Sequence, residues 1–199
     1  MGVEAVTEEP LSLSSNLVEG PSQSPGSWRA LFDELAAGRG SALGRLYDLA
    51  ASELYGLALW RTGSADDAAD VVHDVFVRLA EQGERLARVK KPRAWLLTVA
   101  HRAAVDVTRR RKRRRAEPLQ ECPLLTAAAV DGDRAVDATR ASRLLASLPA
   151  GQRDAIFLRH FADCSFSEIG TIVGVPKFTA ASRYRNGIAK LRKLMEGKQ

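Results

Sequence analysis

Residues 165–194 read SFSEIGTIVGVPKFTAASRYRNGIAKLRKL, and the punctuation of this stretch decides the fold. Ser165 and Glu168 form an S-x-x-E capping box, in which the serine oxygen accepts from a free backbone amide and the glutamate accepts from the serine's own. A helix is predicted to start there and to be short. Gly174 offers a left-handed C-terminal cap, and Pro176 cannot continue the hydrogen-bond ladder. Pro176 suits the first turn of a second helix, in which Ala181, Tyr184, Ile188, Leu191 and Met195 recur at three-and-four spacing as one apolar stripe. The opposite face carries Phe178, Thr179, Ser182 and Asn186, flanked by Arg183, Arg185 and Lys190, and no acid falls between Pro176 and Lys193. Short helix, glycine turn and basic second helix are the parts of a helix-turn-helix, which lays its second helix in a major groove. The plainer alternative is a solvated basic helix; cap, turn and charge occurring together favour the DNA reading.

Composition points the same way. With 199 residues there is room for one or two small domains, and a formal net charge of +6 favours a polyanionic partner. Nucleic acid leads, with an anionic membrane surface second. No apolar run is long enough to span a bilayer and the amino terminus has no signal-peptide pattern, so membrane insertion is not expected and a cytoplasmic location is. Cys122 and Cys164 lack CxxC spacing and are expected to be reduced thiols. His160 and Cys164 stand four apart, but two ligands do not make a metal site, and packing is the expected role. No metal or other cofactor is expected. Nor is catalysis, because the three histidines lie far apart in sequence with no nucleophile at usable spacing.

Upstream of the helix-turn-helix the chain divides by character. Residues 1–27 hold Pro10, Pro21 and Pro25, four glutamates and no basic residue, and read as a disordered acidic tail. Residues 28–112 read as a first helical domain, with core stripes from Trp28 to Trp60 and a stop at Gly63. Ser64 and Asp67 then cap SADDAADVVHDVFVRLAEQ, whose Val71, Val72, Val75, Phe76 and Leu79 face a core. Asp67, Asp70 and Asp74 line the adjacent stripe. The helix dipole accounts for the acids of the first turn but not for Asp74, and charge alone leaves open whether the ridge meets solvent or a basic protein surface. A loop from Gly83 to Lys91 leads to Pro92, which opens PRAWLLTVAHRAAVDVTRRRKRRR. There Trp95, Leu96, Val99, Ala103 and Val107 turn inward, Thr98, His101, Arg102 and Arg109 outward, and Asp106 lies near the inward side with an arginine partner expected. The run Arg109–Arg115 suits phosphate contact. Residues 113–139 turn acidic and proline-bearing and read as a flexible linker; residues 140–196 form a second helical domain that ends in the helix-turn-helix. The expected fold is all-α, two small helical domains joined by a linker.

In this order the segments resemble bacterial sigma factors of the sigma-70 superfamily, in the extracytoplasmic-function branch. ALGRLYDLAASELYGLALWRTGSADDAADVVHDVFVRLAEQ and KPRAWLLTVAHRAAVDVTRRRKRRR look like region 2. LLASLPAGQRDAIFLRHFADCSFSEIGTIVGVPKFTAASRYRNGIAKLRKLM looks like region 4. The resemblance implies a promoter-specificity subunit, not an enzyme, with core RNA polymerase and promoter DNA as partners and, in many relatives, an anti-sigma protein that no residue here identifies. It implies that Asp67, Asp70 and Asp74, with Arg78, meet the polymerase clamp. Lys90, Lys91, Arg93, Trp95, Thr98, His101, Arg102 and Arg109 would engage the −10 element, with the Gly83–Lys91 loop holding a flipped base. Lys177, Phe178, Thr179, Ser182, Arg183, Arg185, Asn186 and Lys190 would engage the −35 element. Four residues depart from the family's habit: Arg102 for asparagine, Phe178 for glycine, Ala181 for lysine and Gly187 for alanine. A response-regulator-like DNA-binding protein shares the helix-turn-helix but not the polymerase contact, and an enzyme with a DNA arm would need a ligand pocket within residues 28–112.

Overall fold

A computed structural model describes residues 25–114, 144–145 and 147–196. The acidic tail up to residue 24, the linker between 115 and 143, and Cys122 lie outside the described residues. Seven helices make up the described fold: α1 (Pro25–Ala36), α2 (Ser41–Thr62), α3 (Ala65–Gln82), α4 (Pro92–Arg114), α5 (Ala150–His160), α6 (Phe166–Val173) and α7 (Lys177–Glu196). Among the described residues there is no strand.

The first body, α1 to α4, packs around Phe32, Leu46, Leu54, Leu57, Leu79, Leu96 and Leu97, each essentially without solvent exposure. Burying one such side chain contributes about 1.5–3 kcal/mol before ordering entropy is subtracted. Helix boundaries fall where the sequence chemistry puts them. Gly63 ends α2 at φ 68°, and the Ser64 hydroxyl accepts from the Asp67 amide at 3.3 Å to start α3. Helix α3 buries Val71, Val72, Val75, Phe76 and Leu79, the expected inner face.

Three details differ from expectation. Helix α1 starts at Pro25, inside the stretch read as tail, because proline fits the first turn of a helix. The Gly83–Lys91 connection is not plain loop: Gly83–Arg88 form a 3₁₀ helix that buries Leu86. Arg29 of α1 clamps it, donating to the carbonyls of Val89 at 2.7 Å and Ala87 at 2.9 Å. Asp106 is exposed rather than inward.

The second body, α5 to α7, packs around Leu158, Ile169, Ile172 and Ala180. Its helix-turn-helix is built as read: the full capping box at Ser165 and Glu168, then Gly174 at φ 72°. Pro176 stands one residue before α7 and accepts from the Ala180 amide at 3.1 Å. What the sequence did not foretell is that the two bodies dock, α6 against α4 and α5 against α2.

Candidate nucleic-acid interface

Helix α7 is set by two glycines. At Gly170 of α6, a Cβ would stand 2.6 Å from the Val175 carbonyl oxygen, so only glycine lets the turn close. At Gly187, a Cβ would meet Ile156 Cδ1 at 2.9 Å and Gln152 Cβ at 3.2 Å. The close approach of α7 to α5 thus offsets the roughly 1 kcal/mol of helix propensity that glycine gives up. Ala180 and Gly187 are the buried positions, with Tyr184, Ile188 and Leu191 partly buried beside them. The stripe is therefore rotated slightly from the expected one: Ala181 is only half-buried, and Met195 is 58% exposed because the last turn outruns the body it packs on. Tyr184 hydroxyl and His160 Nε2 lie 3.0 Å apart and tie α7 to α5.

This packing leaves the other face of α7 open. Lys177, Phe178, Arg185, Asn186 and Lys190 are exposed, and Thr179, Ser182 and Arg183 are half-buried at its margins. Phe178, at 75%, is the most exposed of the large apolar side chains described. The Arg183 guanidinium lies over Gly151, where a Cβ would come within 3.2 Å. Lys190 Nζ reaches the Ser147 carbonyl at 3.4 Å. Cations at the rim and short polar or apolar side chains at the centre suit a phosphate-lined groove with base edges at its floor.

Helix α4 and the two lysines that precede it present the candidate residues in three groups. Lys90, Lys91, Arg102 and Arg109 are exposed. Trp95 is half-buried, edge-to-face with Phe32 at 6.0 Å, and the Thr98 hydroxyl donates to the Ala94 carbonyl at 2.7 Å. Arg93 and His101 are engaged with the second body. Arg93 pairs with Glu53 and donates to the Ala162 carbonyl at 2.6 Å. His101, expected to point outward, is 7% exposed with Nε2 3.1 Å from an Asp154 carboxylate oxygen. Burial pushes the Glu53 carboxyl above its ordinary range, and Arg93 pulls against it. Cys164, beside this pair, is buried, and its thiol is pushed up to about 12.

Helix α3 shows an acid edge. Asp70, Asp74 and Arg78 are exposed, whereas Asp67 is half-buried and lies 3.5 Å from Arg111. The residues that sequence reasoning missed are at the contact between bodies: Glu53, Arg61 and Asp154, while Trp60, expected in the core and buried there, was not read as touching the second body. Only Asp154 carried a signal, a lone carboxylate beside the apolar run Ala155–Leu158. Among the described residues no group of three His, Cys, Asp or Glu is placed to hold a metal, and no helix is long and apolar enough to cross a membrane.

Comparison with known proteins matches residues 46–115 to the family "Sigma-70 region 2" and residues 144–193 to "Sigma-70, region 4". The chain is 31% identical over 166 residues to the ECF RNA polymerase sigma factor SigL of Mycobacterium tuberculosis, covering 79% of this chain and 90% of that one. It is 25% identical over 183 residues to the ECF RNA polymerase sigma factor SigK of Mycobacterium ulcerans, covering 89% and 98%. Among solved structures, CnrH in complex with the cytosolic domain of CnrY matches with a TM-score of 0.66 at 22% identity, over 87% of this chain and 99% of that one. The sigma factor RpoE bound to the anti-sigma factor NepR from Bartonella quintana matches with a TM-score of 0.60 at 20% identity, over 78% and 98%. At those identities the structural matches speak for the fold alone.

Proposed function

The chain belongs to the extracytoplasmic-function branch of the sigma-70 family, and from that membership we propose how its two bodies divide promoter recognition. As a sigma factor it binds core RNA polymerase and directs transcription initiation at promoters with −35 and −10 elements. On our reading, the second body places α7 in the −35 major groove. Thr179, Ser182 and Asn186 approach base edges, and Phe178 meets a thymine methyl. Lys177, Arg183, Arg185 and Lys190 anchor phosphates. The observation that carries this is the open cationic face of α7 with Phe178 standing out from it.

The first body docks on core polymerase through Asp67, Asp70 and Asp74, with Arg78 alongside. An acid edge on a chain of net charge +6 supports that assignment, because it repels DNA and attracts a basic protein surface. Lys90, Lys91, Arg93, Trp95, Thr98, His101, Arg102 and Arg109 then engage the −10 element, and the connection from Gly83 to Lys91 holds a base flipped from the melted strand. The protein catalyses nothing itself; bond formation stays with the polymerase, in the cytoplasm. A protein inhibitor is a further partner on this reading, by analogy with the anti-sigma complex of the structural relative. Run-off transcription with purified core polymerase tests the assignment. Transcripts that need both chain and promoter are expected, and silence at every candidate promoter would contradict it.

A further inference from the structure

Helix α1 lies ahead of the residues matched to region 2, yet it packs against the connection between α3 and α4. Arg29 makes the polar contact. One of its Nη atoms donates to the Val89 carbonyl at 2.7 Å, and the other donates to the Ala87 carbonyl at 2.9 Å. The same guanidinium is forked on Asp33, with Nε to Oδ2 at 3.0 Å and Nη2 to Oδ1 at 2.7 Å. Four donated bonds fix its orientation. The carbonyls it takes need a partner, because the last carbonyls of a helix have none within it, and at Val89 the backbone turns extended at φ −76° and ψ 105°. Leu86, 1% exposed, anchors the connection on one side, and Pro92, which opens α4, limits the backbone on the other. Arg29 holds the stretch between them, next to the exposed Lys90 and Lys91.

Charge decides what Arg29 does there. The connection already carries Arg85, Arg88, Lys90 and Lys91 against a single acid, Glu84, so a further bare cation beside it would be repelled. Asp33 offsets that charge. A guanidinium engaged by a carboxylate and two carbonyls has little left for a phosphate. The two side chains are 41% and 49% exposed, and an i,i+4 ion pair at that exposure adds little to stability. Its role is placement.

We propose that Arg29, set by Asp33, is a positioning residue for the −10 element: it braces the Gly83–Lys91 connection in the shape that receives the flipped base. The proposal rests on the reading of that connection as the base holder. A connection ordered before DNA arrives need not be ordered on binding, and the ordering of one residue is equivalent to roughly tenfold in affinity.

Holoenzyme reconstituted with the full chain tests the brace on a fork duplex, double-stranded upstream and single-stranded across the −10 element, drawn from promoters that the parent holoenzyme selects. Each −10 base is replaced in turn by an abasic site. For the parent, one abasic position should weaken binding. Arg29→Ala, which favours the helix of α1, should weaken binding to the intact fork roughly tenfold and add no loss on the fork abasic at that position. Asp33→Asn should show the same pattern at about threefold, since it loosens the brace without removing it. Circular dichroism checks that both variants fold, and the salt slope of binding should not move. Equal weakening on intact and abasic forks would make Arg29 a general support and overturn the proposal, as would full binding by the folded variants. A slope reduced by about one would make Arg29 a phosphate contact and overturn it too. Should no abasic position matter to the parent, the base holder itself is removed and the brace with it, a result distinct from failure of the brace alone.

Discussion

Helices α4 and α7 both carry basic and aromatic residues assigned to nucleic acid, yet one face is open and the other is partly covered. Helix α7 buries one side on α5 and α6 and turns Phe178, Arg185 and Asn186 to solvent. Helix α4 is packed on α2 and α3, and α6 lies on it as well, with His101 buried and Arg93 bonded to the second body. On the proposed reading the two faces have different targets. A duplex groove admits a helix face as it stands, whereas unstacked bases must be received by groups with no other partner.

The largest effect expected is at the turn that aims α7. Gly170→Val drives a side chain into the Val175 carbonyl, so the second body should lose about 2–4 kcal/mol. Binding to a −35 duplex should collapse while a pull-down on core polymerase persists through the first body. Thermal unfolding and anisotropy check this, and a tolerated valine would mean the turn is looser than its geometry. Next comes the acid edge: Asp74→Arg should weaken polymerase binding about tenfold, near 1.4 kcal/mol, with unfolding unchanged. Unaltered affinity would assign the ridge to solvent.

Smaller is Arg185→Ala, which should weaken duplex binding roughly threefold to tenfold at every sequence and reduce the salt slope by about one. A loss confined to one base position would move Arg185 from phosphate to base readout. Smallest is an acid effect at the capping box. The Ser165 hydroxyl and amide hold the Glu168 carboxyl below its ordinary value. Its contribution is therefore present above the unfolded carboxyl pKa, about 4.3, and lost as pH falls through the lowered folded one. Glu168→Gln should flatten the acid limb of second-body stability in a circular-dichroism titration, and an unchanged limb would remove the box as its source.

Much of this was legible in the sequence because it is local. Ser165 with Glu168, Ser64 with Asp67, and Gly63 and Gly174 act within a few residues, so their caps and left-handed turns follow from spacing. The inner face of α3 follows from period alone. What lay out of reach was contact between residues far apart. Gly187 stands where the family has alanine for a reason nothing local carries, the close packing of Ile156 against it. His101 was placed outward by its angle on the helix, since nothing local announces that Asp154, 53 residues later, will cover it. The 3₁₀ turn at Gly83–Arg88 depends likewise on Arg29 and on the burial of Leu86.

The claim that two bodies read two elements is tested most directly by selecting promoter DNA with reconstituted holoenzyme, comparing the parent chain with Phe178→Ala and with Arg102→Asn. The account predicts two separated motifs, the upstream one changed only by Phe178→Ala and the downstream one only by Arg102→Asn. A single motif, or two motifs that shift together with either substitution, would contradict it.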